Sequence, residues 1–318
     1  MGTALSWALR ASVIAACVTF ALWDIDLEQL VVALQHYDLA KLGAVLTISF
    51  VPYLTMARRL AVLLRGIADE PTLGITLLAS LLALGMNNLL PARLGELAKV
   101  VYLRQRCGAS SGSLMGAVFW ERFADVHALL CFSALTVLGF GRTDAFAPMA
   151  IAVAAGWAGI LWARHHPRPF EWLIKRFPVE ALARVGHDIL RSLQRGLDWR
   201  VSAELVTWTI VTWTFYALHV YLVVVWIAEI DLGVLEVLTV FLGVSIGMVV
   251  PVSPGALGIY EAIFVLVLGW YGVPPEKALA AGLTAHMLQY LPTTVVGAVV
   301  LARADVSLRS FTSRRQND

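Results

Sequence analysis

Six apolar runs of about 18 residues or more dominate the 318-residue chain, at 5–23, 40–57, 113–140, 145–163, 201–228 and 278–302. A helix rises about 1.5 Å per residue, so about 20 residues cross a hydrocarbon layer about 30 Å thick. In lipid, backbone N–H and C=O groups must be satisfied inside the protein, which leaves helices or a closed barrel. Continuous apolar runs, without polar residues alternating along them, select helices. Composition agrees: 59% of residues are hydrophobic and 14% charged, and mean hydropathy is +0.76. Ordinary soluble domains carry about 25% charged residues. A soluble globular protein and an intrinsically disordered chain are both excluded. The first run has no small-residue cleavage site before Asp24 and reads as a retained anchor.

Two further apolar stretches are interrupted. Residues 73–90 end at Asn87-Asn88-Leu89-Leu90-Pro91 and continue into a charged helix-like segment, 94–106. Residues 237–252 end at Pro251-Val252-Ser253-Pro254-Gly255, followed by a short apolar piece, 257–270. Positive charge sets the orientation. With both termini, 57–112 and 164–200 on the cytoplasmic side, that side holds twenty of the 24 Lys and Arg. The opposite loops hold Lys41, Arg142 and Lys277 against nine acids. This arrangement requires 73–106 and 237–271 each to turn back within the bilayer as a re-entrant hairpin. Bent backbone at that depth survives only where protein buries it or it lines a wet cavity.

The expected architecture is therefore an all-α integral membrane protein, with about six full transmembrane helices and two re-entrant helical hairpins, forming one transmembrane domain over 1–318. Residues 1–140 and 145–302 present the same order of elements in opposite orientation, an inverted repeat of the kind common in secondary transporters. Residues 164–200 form a basic connector, in which Leu182, Val185, Ile189, Leu193 and Leu197 recur at helical spacing. That helix either lies on the anionic inner leaflet or packs between the halves. Residues 303–318 make a short cytoplasmic tail.

Ionisable groups in membrane runs are costly and usually functional. Glu121, Arg122 and Asp125 lie about two turns into 113–140. Glu121 and Asp125 share a helix face and repel unless protonated or matched by a cation. Arg122, about 100° around the helix, is expected to pair with neither. The group either lines a polar cavity that binds a head group or relays a proton, or forms an ion-pair clamp to Arg93 or Lys99. At the first tip, Asn87 and Asn88 close one half-helix while Arg93, Glu96 and Lys99 open the next. A half-helix amino terminus beside an arginine fork suits phosphate. At the second tip, Ser253, Gly255 and Gly258 expose backbone, and Glu261 is a candidate proton carrier. His286, Gln289, Tyr290 and Thr293 form a polar stripe late in the last run. The stripe reads as interhelical hydrogen bonding, with a pathway as the alternative.

The three cysteines, Cys17, Cys107 and Cys131, have no metal-type spacing, and His165-His166 has no further ligands at a plausible distance. No P-loop, dinucleotide-binding, zincin or nucleophile-elbow motif occurs. No catalytic residue, cofactor, metal or nucleic-acid partner is expected.

Three blocks carry a resemblance: Asn87 to Lys99, Glu121 to Asp125, and Pro251 to Ala262, with Gly272 to Ala278 trailing. Together they resemble the lysylphosphatidylglycerol synthase transmembrane region family, the flippase-like or UPF0104 membrane proteins, over nearly the whole chain. The resemblance implies a multi-pass membrane protein handling a phospholipid or a polyprenyl- or glycolipid-linked head group in a bacterial inner membrane. The best understood relatives flip aminoacylated phosphatidylglycerol, made by a separate carboxy-terminal synthase domain. No such domain is present here, so a stand-alone translocase-like module is expected, with a separate lipid-modifying synthase as a partner. Tyr260 stands where the family commonly has Arg or Phe, and Gly255-Ala256 where Gly-Gly is frequent. The alternatives are a membrane-embedded transferase on a lipid-linked sugar or amino acid, and a membrane subunit of a lipid-modifying enzyme.

Overall fold

In the computed structural model, residues 25–69, 71–90, 94–176, 180–248 and 253–303 are described, with Thr19 and Leu22. Every regular element among them is helical. The helices are α1 (Leu27–Gln35), α2 (Leu39–Ile48), α3 (Val51–Leu64), α4 (Leu73–Leu89), α5 (Gly95–Cys107), α6 (Ser111–Gly139) and α7 (Phe146–His165). After these come α8 (Pro167–Ile174), α9 (Glu180–Arg195), α10 (Trp199–Tyr221), α11 (Val234–Gly247), α12 (Ile259–Gly269) and α13 (Pro275–Arg303). Their starts follow local chemistry. Asp26 and Asp38 accept backbone N–H groups of the first turns of α1 and α2, and the Ser110 hydroxyl accepts the Ser113 N–H.

Five helices are long and apolar enough to cross a membrane: Leu39–Leu64, Ser111–Gly139, Phe146–His165, Trp199–Ile227 and Pro275–Arg303. They match five of the six runs found in the sequence, and the first run, 5–23, lies outside the described residues apart from Thr19 and Leu22. Three apolar helices are shorter, at Leu73–Leu89, Val234–Gly247 and Pro254–Gly269. The 14 residues of α11 rise only about 21 Å. These fall where the interrupted stretches were expected.

The described residues divide into two compact units, each drawing on both halves of the chain. The first unit holds residues up to Pro52, Leu84–Gly95 and Thr212–Ala298. In its core, Leu30 of α1 packs with Ala262 of α12 and with Leu279 and Ala280 of α13. The helices α11 and α12 lie against each other, with Gly243 and Gly247 leaving room for Ile263. Small residues bring α4 and α13 closer still. A Cβ on Gly85 would sit 2.6 Å from the Thr293 carbonyl oxygen and 2.8 Å from the Gly297 Cα. Close approach through small residues is how helices associate where lipid removes the hydrophobic drive.

At one end of this unit, α10 runs into a π-helix, Leu222–Ile227. The Lys41 ammonium donates to the Trp226 carbonyl at 2.9 Å and pairs with Glu229 at 2.7 Å. Lys277 donates to the Glu229 carbonyl at 3.0 Å. Two of the three cations assigned to the outer loops thus satisfy carbonyls at a helix carboxyl end, where the backbone dipole favours positive charge. The hydrogen bond from Lys41 holds the Glu229 carboxyl below its usual range.

The second unit holds Tyr53–Ala83, Glu96–Val211 and residues from Val299 on. Here α9 is a packing element. Leu190 and Leu193 are buried, Trp120 of α6 donates to the Ser192 hydroxyl at 3.2 Å, and Gly112 and Gly116 leave room for Asp188 and Ser192.

The close approach at Gly85 is testable. Gly85→Ala is expected to cost about 1–3 kcal/mol, because backbone atoms of α13 cannot swing aside as a side chain could. Thermal unfolding in detergent measures the loss, and an unchanged midpoint would contradict the approach.

Candidate functional site

Six charged residues of α3, α5 and α6 close into a ring within the second unit. Arg59 of α3 donates to Asp125 of α6 at 2.5 Å and lies 3.6 Å from Glu121. Arg122 bonds Asp125 at 3.1 Å and also pairs with Glu96 of α5. Lys99 bonds Glu96 at 2.7 Å and Glu121 at 2.8 Å. Around the ring the order is Arg59, Asp125, Arg122, Glu96, Lys99, Glu121, so every cation lies between two acids and the formal charge is zero. The Arg59, Lys99 and Glu121 side chains are almost wholly buried, whereas Arg122 keeps 42% of its side-chain surface exposed. Thr209 of α10, its hydroxyl donating to the Leu205 carbonyl, also accepts from Arg59.

Two sequence expectations change here. Arg122 pairs directly with Asp125, because residues three apart are neighbours on the helix surface. Arg59 was counted among the cytoplasmic cations, since the apolar run ends near it. The helix continues to Leu64 and the arginine is 1% exposed. Its signal was available: Glu121 and Asp125 needed a cation on their shared face. Lys99 was among the clamps the sequence offered, and Arg93, the other, lies outside the described residues with Pro91 and Ala92.

The hairpin tips are assembled in the first unit. The Asn87 side-chain oxygen accepts the Gly95 N–H at 2.9 Å, bridging the chain across the first tip. The Asn88 amide lies 3.0 Å from the Thr293 hydroxyl and 2.9 Å from that of Thr294. Both threonines donate in turn to carbonyls of α13, those of Gln289 and Tyr290, on the turn that holds Pro292. At the second tip, Gly255 and Gly258 have φ of +60° and +83°, conformations that a Cβ makes costly. A Cβ on Gly255 would also lie 2.3 Å from the Tyr290 ring and 3.4 Å from the Asn88 Cα. The two tips therefore meet beside Tyr290.

Glu261 and His286, both buried, tie this second tip down. Glu261 accepts the Gly258 N–H at 2.8 Å and lies 2.6 Å from His286 Nδ1, while His286 Nε2 lies 2.9 Å from the Gly255 carbonyl oxygen. Tyr260 stacks on the imidazole, with ring centroids 4.4 Å apart. His286 entered the sequence reading only as part of a polar stripe. Ser253 and Gln289 are half-buried at the tip and on α13. Nearby, His219 of α10 is fully buried, between the Ser49 hydroxyl at 2.7 Å and the Ala285 carbonyl at 3.0 Å. Among the described residues, no group of three or more His, Cys, Asp or Glu is placed to hold a metal ion.

Apolar spans, paired short helices and buried charge define a multi-pass all-α membrane protein. Residues 7–297 match the family described as the lysylphosphatidylglycerol synthase TM region, and the chain belongs to that family. It is also similar to a UPF0104 membrane protein of Methanocaldococcus jannaschii, with 22% identity over 218 residues that cover 68% of this chain and 92% of the relative.

The ring makes a specific energetic demand. Lys99→Met leaves the buried Glu121 short of a partner and is expected to cost about 3–5 kcal/mol. Adding Glu121→Leu removes the orphaned charge and leaves a neutral four-residue chain, so the double variant should recover most of the loss. Thermal unfolding of both in detergent checks this. A double variant no better than the single would break the argument.

Proposed function

We propose that this protein is a lipid translocase, moving a phospholipid or a polyprenyl- or glycolipid-linked head group between leaflets while the acyl chains stay in the bilayer. The observation that carries the reading is the meeting of two interrupted helices at one place, with Asn88 and Gly255 both against Tyr290. Broken helices that converge this way leave half-helix ends pointing at a common point, the arrangement secondary transporters use for substrate. The amino ends of α5 and α12 would offer N–H groups to a phosphate, with Arg93 supplying a planar donor fork. Membership of a family described by its lipid synthase's transmembrane region supports a lipid substrate.

On this reading residues 1–140 and 145–302 are inverted repeats, and the protein sits in a bacterial cytoplasmic membrane with both termini inside. The charge asymmetry of the loops supports that orientation. A separate lipid-modifying synthase would supply or receive the lipid.

Reconstitution in liposomes tests the activity. The protein should accelerate movement of labelled anionic, aminoacylated or polyprenyl-linked lipid between leaflets, and an Asn88→Ala/Arg93→Ala variant should abolish the gain. No acceleration for any of these lipids would end the proposal. Orientation has its own test in cells. Cysteines introduced at 30–36 and 230–234 should label from outside and those at 165–176 from inside, whereas outside labelling of 100–106 would contradict a first hairpin that turns back.

A further inference from the structure

The bonding of His286 requires a count of protons. Its Nε2 faces the Gly255 carbonyl oxygen, which can only accept, so Nε2 carries a hydrogen. Its Nδ1 lies 2.6 Å from Glu261 Oε1, and the other carboxyl oxygen, Oε2, is occupied in accepting the Gly258 N–H. One hydrogen must therefore lie between Nδ1 and Oε1. It either makes His286 an imidazolium beside a carboxylate or makes Glu261 a neutral acid beside a neutral imidazole. Both forms have the same heavy-atom geometry and no net charge. With the hydrogen removed, two lone pairs face each other at 2.6 Å in a buried site carrying one negative charge. With a second hydrogen added, Glu261 can no longer accept from both sides.

We propose that Glu261 and His286 form a single-proton binding site that latches the second hairpin tip to α13, and that gain or loss of this proton opens and closes the tip during translocation. The latch spans a turn in which Ala256 also has positive φ. Gly255 and Gly258 both have left-handed backbone, and the pair grips the carbonyl of one and the N–H of the other. Any other proton count leaves a buried charge or an unmade hydrogen bond. Among the described residues, the rings that meet the imidazole are tyrosines. Tyr260 of α12 stacks on the ring and Tyr290 of α13 meets it edge-on at 5.5 Å. From α10, His219 bonds the Ala285 carbonyl one residue away along α13. The transport role rests on the translocase reading, but the proton site does not.

Glu261→Gln separates the two. The glutamine amide can donate to Nδ1 while its oxygen accepts the Gly258 N–H, so all three hydrogen bonds persist with no hydrogen to lose. Backbone hydrogen exchange of peptides spanning 253–262, followed by mass spectrometry on the full-length protein in nanodiscs, reads the latch directly. Between about pH 5 and 9, the wild type should lose about tenfold or more in protection relative to Glu261→Gln towards at least one end of the range. His286→Ala should be unprotected throughout. Wild-type and Glu261→Gln profiles that stay parallel across the range would overturn the proton site. In liposomes, an imposed pH gradient should change lipid movement by the wild type and leave Glu261→Gln slow and insensitive. Lipid movement by the wild type that ignores the gradient overturns the coupling. A pH-dependent latch without any lipid movement sinks the translocase reading and leaves the proton site standing.

Discussion

Burying charge in a helix bundle is tolerable only where each charge is surrounded by its opposite. The ring of Arg59, Asp125, Arg122, Glu96, Lys99 and Glu121 meets that condition by alternation. Desolvating a carboxylate or ammonium costs several kcal/mol even after relaxation, and the attraction repays it only with close partners on more than one side. Each acid here has two cations, so no single pair bears the whole cost. The consequence is architectural. The ring draws α3, α5 and α6 to one place and leaves Arg122 as its most exposed member.

The hairpins solve a different problem with the same economy. Four backbone groups at each helix end lack intrahelical partners, and within a bilayer water cannot supply them. Side chains supply some of them. Asn87 takes the Gly95 N–H, Glu261 takes the Gly258 N–H and His286 donates to the Gly255 carbonyl. Asn88 donates to two threonine hydroxyls of α13 beside Pro292. The polar residues that make these stretches look unlike membrane spans are the ones that let bent backbone persist there.

What the sequence made legible follows from this division. Apolar length reveals spans because crossing lipid is a one-dimensional requirement, and five of the six runs correspond to long helices in the described residues. The repulsion of Glu121 and Asp125 at helical spacing announced that a cation was needed. Which cation was a three-dimensional matter: Arg59 lies 62 residues before Glu121 and at the end of what looked like an apolar run. His286 was hidden for the same reason. A histidine in a polar stripe is compatible with ordinary interhelical bonding, and only the positions of Glu261 and Gly255 show that both of its nitrogens are engaged.

The two polar clusters therefore differ in what they allow to change. In the ring, permanent charges of both signs interlock, and the arginines keep theirs at any physiological pH. Each member of such a network has partners on two sides, so the network serves to hold helices. The tip has no arginine or lysine among its described bonds. Its neutrality depends on the one hydrogen that lies between Glu261 and His286. A structure that must hold some helices fixed while a hairpin tip moves has reason to build the first from permanent charges and the second from a removable proton.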